Sequence, residues 1–110
     1  MILSKENTVV KQLNEKCTRS VLVYSDAIML VEFRFKKGGV GEAHQHADHE
    51  QVGYIAKGSF ELTVGSEKRI VRAGDSYYAA RNVLHGVVAL EDDSVIIDTF
   101  TPKRADFLLL

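Results

Sequence analysis

Three of the four histidines in this 110-residue chain fall within six positions, in the stretch GEAHQHADHEQVGYIAKG over 41–58. Imidazoles gathered this closely suit metal ligation, because a neutral ring nitrogen offers a lone pair to a divalent cation near neutral pH. Residues two apart on a strand point to the same face. His44 and His46 would then carry rings about 6–7 Å apart at their backbones, close enough to converge on one ion. The polar run ADHE reads as a connection, and QVGYIA as the returning antiparallel strand, which brings position 50 or 51 back beside His46. Neighbours on a strand face opposite ways, so alternation alone does not choose between Glu50 and Gln51. His85, in RNVLHGVV, is a further candidate donor, since a closed barrel can bring distant strands together. His49 lies in the connection and reads as solvent-facing or just outside a ligand set. Any one such histidine is an ordinary surface residue; the H-x-H pair, flanked by glycine turns and joined by a later histidine, is what points to metal.

Strands must position these groups, because period-two alternation dominates the chain and no long amphipathic helix is evident. In IMLVEFRFKK, Met29, Val31, Phe33 and Phe35 share one face, while Glu32, Arg34 and Lys36 share the other. SFELTV repeats the pattern with Phe60, Leu62 and Val64. SVIIDTF sets Ile96, Asp98 and Phe100 on one side and Val95, Ile97 and Thr99 on the other. Turn signals punctuate these runs at KKGGVG, KGS, VGSEK, AGD and EDD. Short, evenly spaced strands predict an all-β sandwich or barrel, with residues 1–110 as a single domain. Pro102 follows the last strand and could open a short helical turn through KRADFLLL. The apolar tail Phe107 to Leu110 is expected to pack across the barrel or at a subunit contact. Tyr54, Tyr77 and Tyr78 read as barrel packing, with one of them free to line a mouth.

The composition narrows the function classes. A formal net charge of −1 gives no electrostatic reason to expect nucleic acid or an anionic membrane. Cys17 is alone and has no intrachain partner, which fits a reducing compartment. The opening MILSKENTVV lacks the apolar core of a secretory signal, and DFLLL is too short to span a bilayer. The expectation is a cytoplasmic protein with a small-molecule partner.

The run GGVGEAHQHADHEQVGYIAKG resembles the first signature of the cupin superfamily: glycine, five residues, H-x-H, an acid a few residues on, six residues, glycine. Counting from Gly38 lands on His44, and counting back from Gly58 lands on Gln51, not Glu50. GDSYYAARNVLHGVVA resembles the second signature, with Gly74 opening it and His85 as its histidine. This chain departs from that pattern at Ala80, Asn82 and Ala89, where proline, glycine and asparagine are usual. The resemblance implies a double-stranded β-helix, or jelly-roll barrel, with a short C-terminal helical turn or tail. It also implies one divalent transition metal ion on His44, His46, Gln51 and His85. Neutral nitrogen and oxygen donors suit nickel, zinc, iron, cobalt or manganese without choosing among them. They leave the full charge of the cation facing its open positions, which favours a chelating, anionic ligand.

Within the superfamily, the stretch from MLVEFRFKKGGVGEAHQH to DTFTPKRADFL resembles the KdgF-type pectin-degradation proteins. That likeness implies ring opening of 4,5-unsaturated monouronates from pectin or alginate, with Asp98, Phe100 and Arg104 as the catalytic pocket and a homodimer as the assembly. The chemistry is coherent on its own terms. Such a sugar is a cyclic enol ether with a hemiacetal carbon, so removing the anomeric proton lets the ring bond break to an aldehyde and an enolate beside the carboxylate. One mobile proton donor–acceptor is needed, and a carboxyl group can serve. Asp98 amid VIIDTF is costly in a core unless it is paired or used. Phe100 could equally be core filler. Arg104, by position alone, reads as a surface charge; the resemblance makes it a bidentate partner for substrate carboxylate or hydroxyls. Two other functions compete: an iron-dependent oxygenase, and a sugar-acid binding module without turnover.

Overall fold

The computed structural model describes residues 1–109; Leu110, the end of the apolar tail, lies outside the described residues. Ten strands form: β1 (Val10–Asn14), β2 (Cys17–Tyr24), β3 (Met29–Phe35), β4 (Val40–His44), β5 (Glu50–Lys57), β6 (Ser59–Val64), β7 (Glu67–Arg72), β8 (Ser76–Ala79), β9 (His85–Ala89) and β10 (Ser94–Thr101). They make two antiparallel sheets, one in the order β1-β2-β3-β10-β5-β8 and the other β4-β9-β6-β7. The expected all-β jelly-roll architecture is what forms, with short 3-10 turns at Lys5–Asn7 and Ala105–Leu108. No helix among the described residues is long and apolar enough to cross a membrane.

The alternation in the sequence decides which side of each strand is inside. On β10, Ile96, Asp98 and Phe100 are buried while Ile97, Thr99 and Thr101 are only partly covered. On β3 the buried residues are Met29, Val31 and Phe35. Cys17, Phe35, Ile55, Phe60, Ala89 and Ile96 form one core cluster between the sheets. There the Phe35 and Phe60 rings meet edge to face at 5.3 Å. Each fully buried side chain of this kind is worth roughly 1.5–3 kcal/mol over leaving it exposed. A second cluster, Met29, Val31 and Phe100, is covered by Phe107 and Leu108. The tail therefore packs on the barrel through those two residues, while Leu109 is exposed. The anticipated short turn forms over Ala105–Leu108, a few residues past Pro102, which does not itself open it.

Two expectations are corrected. β5 does not return beside β4: it pairs with β10 and β8, whereas β4 pairs with β9 in the other sheet. The connection 45–49 crosses from one sheet to the other, so the H-x-H segment and position 51 face each other across the barrel interior instead of along a hairpin. The second concerns the tyrosines. Tyr54 and Tyr78 are about half exposed on the outer face, because they alternate with Gly53, Ile55, Tyr77 and Ala79, which point inward.

Candidate active site

β9 and β4 bring two of the histidines together directly, since His44 and His85 are cross-strand partners. His46 lies just past the end of β4 and not on it. Its position is held by a backbone hydrogen bond from Asn82 N–H to the His46 carbonyl, 2.7 Å. Asn82 adopts a left-handed conformation (φ 63°) in the β8–β9 turn, where the resemblance leads one to expect glycine. Asparagine is among the few non-glycine residues that take up that conformation readily. The three rings lie 4.4–5.3 Å apart by centroid, with one ligating nitrogen from each within 4.8 Å of the others. Bonds of about 2.1 Å to a shared ion would hold ligand atoms within about 4.2 Å, so a small closing rotation suffices.

Ring hydrogen bonds select which nitrogen is free. His44 Nδ1 lies 2.6 Å from the Glu42 carbonyl and His85 Nδ1 lies 2.9 Å from that of Val83. Each Nδ1–H donates to a carbonyl, which leaves the Nε2 lone pair for a ligand. His85 Nε2 is buried and has no partner. Burial, ahead of the positive charge of Arg104, lowers the His46 pKa to about 4, and burial also lowers that of His85. Both are therefore neutral and able to ligate at neutral pH. His46 Nε2 faces Arg104 Nη1 at 3.3 Å, a contact the guanidinium must give up for that nitrogen to ligate. His49 is outside the group of three, its ring edge to face with His46 at 5.8 Å and its Nδ1 3.0 Å from the Pro102 carbonyl.

Gln51, on β5, is buried, and among the described residues its Oε1 is the other buried side-chain polar atom without a partner. Glu50, the alternative from alternation, is exposed. Two orphaned acceptors beside a histidine triplet are costly unless something electron-poor sits between them. The three imidazoles fit a bound cation, and the unpartnered Gln51 Oε1 would be available as a fourth donor.

The far side of the same space is built by three strands in register. Asp98 on β10 pairs with Gly53 on β5, which pairs with Tyr77 on β8. A Cβ on Gly53 would fall 1.9 Å from the Tyr77 ring and 2.5 Å from Asp98 Oδ1. The missing side chain is what lets its two neighbours meet. Tyr77 donates its hydroxyl hydrogen to Asp98 Oδ1 at 2.7 Å and accepts from Gln51 Nε2 at 2.7 Å. Burial raises the Asp98 pKa to about 7, with the Tyr77 hydrogen bond only partly offsetting it. Burial, reinforced by Asp98, pushes Tyr77 well above the usual phenol range, so it keeps its proton.

Arg104 is not the surface charge its position suggests: its side chain is only 13% exposed. It lies 4.1 Å over Phe107 and 5.2 Å over Phe100. Nε and Nη2 form a fork onto the Asp106 carboxylate at 3.0 and 2.8 Å. The bidentate edge expected for a substrate is thus already engaged, and Nη1 is the edge left. A cavity of about 330 Å³ is lined by His44, Gln51, His85, Asp98, Phe100 and Arg104, among others. Two further residues belong to this wall, Tyr77 and Arg19. The sequence leaves open which of Tyr54, Tyr77 and Tyr78 lines the mouth, and the parity of Tyr77 with Ala79 is the signal that selects it. Arg19, 4.0 Å over Phe107, carries no such signal.

Residues 31–100 match the cupin-domain family. The chain is 48% identical over 103 residues, 94% of each, to the pectin degradation protein KdgF of Dickeya dadantii (strain 3937). Among solved structures it is similar to KdgF from Halomonas sp., with a TM-score of 0.93, 34% identity and 97% of both chains covered. An RmlC-like cupin from Shewanella frigidimarina superposes with a TM-score of 0.89 at 33% identity, covering 96% of this chain and 93% of that one. Fold, signature residues and relatives agree, and the chain belongs to the cupin family, in its KdgF branch.

Proposed function

We propose that this protein, with residues 1–110 as one cupin domain, is a metal-dependent enzyme that opens the ring of 4,5-unsaturated monouronates to the linear keto acid. The observation that carries the reading is the two-sided cavity. Three imidazoles on the β4–β9 side, the unpartnered His85 Nε2 among them, face the unpartnered Gln51 Oε1 and a buried Asp98 carboxyl with a pKa near 7 on the opposite sheet. The name of the Dickeya relative supplies the link to pectin degradation.

His44, His46, Gln51 and His85 would hold one divalent transition metal ion. When bound, it supplies Lewis-acid stabilisation of the negative charge that develops as the ring opens. The ionised Asp98 takes the proton of the anomeric hydroxyl. The electron pair forms the aldehyde, the bond from the anomeric carbon to the ring oxygen breaks, and the charge passes to the enolate. Asp98 then returns the proton to carbon 4, so the reaction is an isomerisation with no net proton change. A pKa near 7 keeps both forms of Asp98 populated near neutral pH, as a group that both takes and gives requires. Arg104, steadied by Asp106 and stacked on Phe107, would direct Nη1 at the sugar's carboxylate or a hydroxyl. Phe100 would wall the apolar edge of the sugar. A homodimer is part of this reading by kinship. So is a cytoplasmic setting, where the buried Cys17 thiol needs no oxidising surroundings.

Proton NMR of an unsaturated monouronate incubated with zinc- or nickel-loaded protein tests the proposal. Conversion to the linear keto acid should accelerate, stop on adding chelator and consume no oxygen. Conversion no faster than in buffer would end this reading, and oxygen uptake with iron-loaded protein would replace it with an oxygenase.

A further inference from the structure

We infer that Tyr77 is the positioning residue that sets which end of the Gln51 amide faces the histidines, and that its bond to Asp98 is the reason an amide stands at position 51. The inference rests on the metal site proposed above. A phenol hydroxyl has one hydrogen to give and lone pairs to receive with. Tyr77 Oη lies 2.7 Å from Asp98 Oδ1 and 2.7 Å from Gln51 Nε2. An ionised carboxylate only accepts, so the single hydrogen goes to Asp98. Whatever lies on the other side of the hydroxyl must then donate. Glutamine can do so only by turning Nε2 towards Tyr77, which leaves Oε1 as the free, buried, unpartnered end.

A glutamate at position 51 would bring a second acceptor to a hydroxyl with no second hydrogen. While Asp98 is ionised, the neutral ligand is thereby favoured by the hydrogen-bond direction of its neighbours as well as by the charge at the ion. The strands are built for this chain of contacts. Gln51 and Gly53 lie on one face of β5, and only a residue without Cβ at 53 allows Tyr77 and Asp98 to meet above it. One hydroxyl therefore connects a ligand to the proton-transferring group.

Tyr77→Phe removes only that oxygen. Zinc affinity, measured by competition with a chromophoric chelator, should fall about 10–100-fold, as for loss of other groups that orient ligands. The acid limb of kcat/KM should also move to higher pH, because the Asp98 carboxylate loses the hydrogen bond that favours its ionised form. A folded Tyr77→Phe protein with unchanged zinc affinity and an unmoved limb would overturn the inference while leaving the proposed activity standing. Wild-type protein that binds no zinc would overturn both. If Tyr77→Phe does not fold, the wild-type hydroxyl proton carries the test. Buried and bonded, it should give a slowly exchanging downfield resonance that shifts when zinc is added; no such resonance, or one that zinc leaves in place, would overturn the assignment.

Discussion

Asp93 and Asp98 stand five residues apart, one in the turn that leads into β10 and the other at its middle. Asp93 is half-exposed and ion-paired to Lys57 and Arg34, whose hydrogen bonds hold its pKa below the usual carboxylate range. Asp98 is buried, has Tyr77 as its hydrogen-bond partner, and is pushed up to about 7. The side chain is the same, yet solvent and two cations make one an ordinary anion while a dry strand face brings the other's pKa up to about 7. A carboxyl kept where it is expensive, beside a cavity, marks a site; a carboxyl kept where it is comfortable marks a turn.

The sharpest way to break this contrast is Asp98→Asn, which keeps shape and burial while abolishing proton transfer. Turnover, followed by loss of the substrate's ultraviolet absorbance, should fall about 10²–10⁴-fold, with bound zinc per chain unchanged by metal analysis. Zinc lost together with activity would make Asp98 structural and level it with Asp93.

A smaller effect should appear in the pH dependence of metal-free stability. The folded pKa of Asp98 lies above its unfolded value of 3.8, so its contribution is full below 3.8 and is lost as pH rises towards about 7. His46 runs the other way: its folded value of about 4 lies below 6.5, so its contribution is full above 6.5 and is lost as pH falls towards 4. His85 adds to the second trend. The two trends oppose each other, so wild-type melting temperature should vary little over this window. That of Asp98→Asn should climb steadily with pH, and parallel curves from the two proteins would contradict the placement of Asp98. The smallest effect is expected from Asp93→Asn, whose exposed ion pairs contribute little and whose left-handed backbone (φ 57°) suits asparagine. Rate and melting temperature should stay close to wild type in thermal scans; a rate loss like that of Asp98→Asn would erase the distinction between the two regions.

Much of the site was legible because period two is a strong signal. The inward set Ile96, Asp98 and Phe100 follows from alternation on β10, and Asp98 announces itself as the one charge in an apolar row. The signature spacing chose Gln51 over Glu50, and the burial of one and exposure of the other agree with it. Strand pairing was not legible. QVGYIA reads equally well as the partner of the H-x-H strand or as a strand of the opposite sheet, because both leave the same face apolar. Arg104 is named as a pocket residue by the family resemblance but not by its own surroundings in the sequence. TPKRADF has the composition of a solvated tail, and only the packing of Phe107 onto Phe33 and Phe100 draws the guanidinium into the cavity wall.

Amino-acid order alone settled the strands around 29–35, 60–64 and 94–100 and their inner faces, since these depend on side-chain parity and turn residues within a few positions; Gln51 needed the signature spacing as well. Tertiary structure alone decided that β4 and β5 face each other from different sheets, that Gly53 opens a gap for Tyr77 to reach Asp98, and that Arg104 is largely covered. Those outcomes turn on contacts between residues distant in sequence. They come from the way two twisted sheets close over a shared core, which no local pattern encodes.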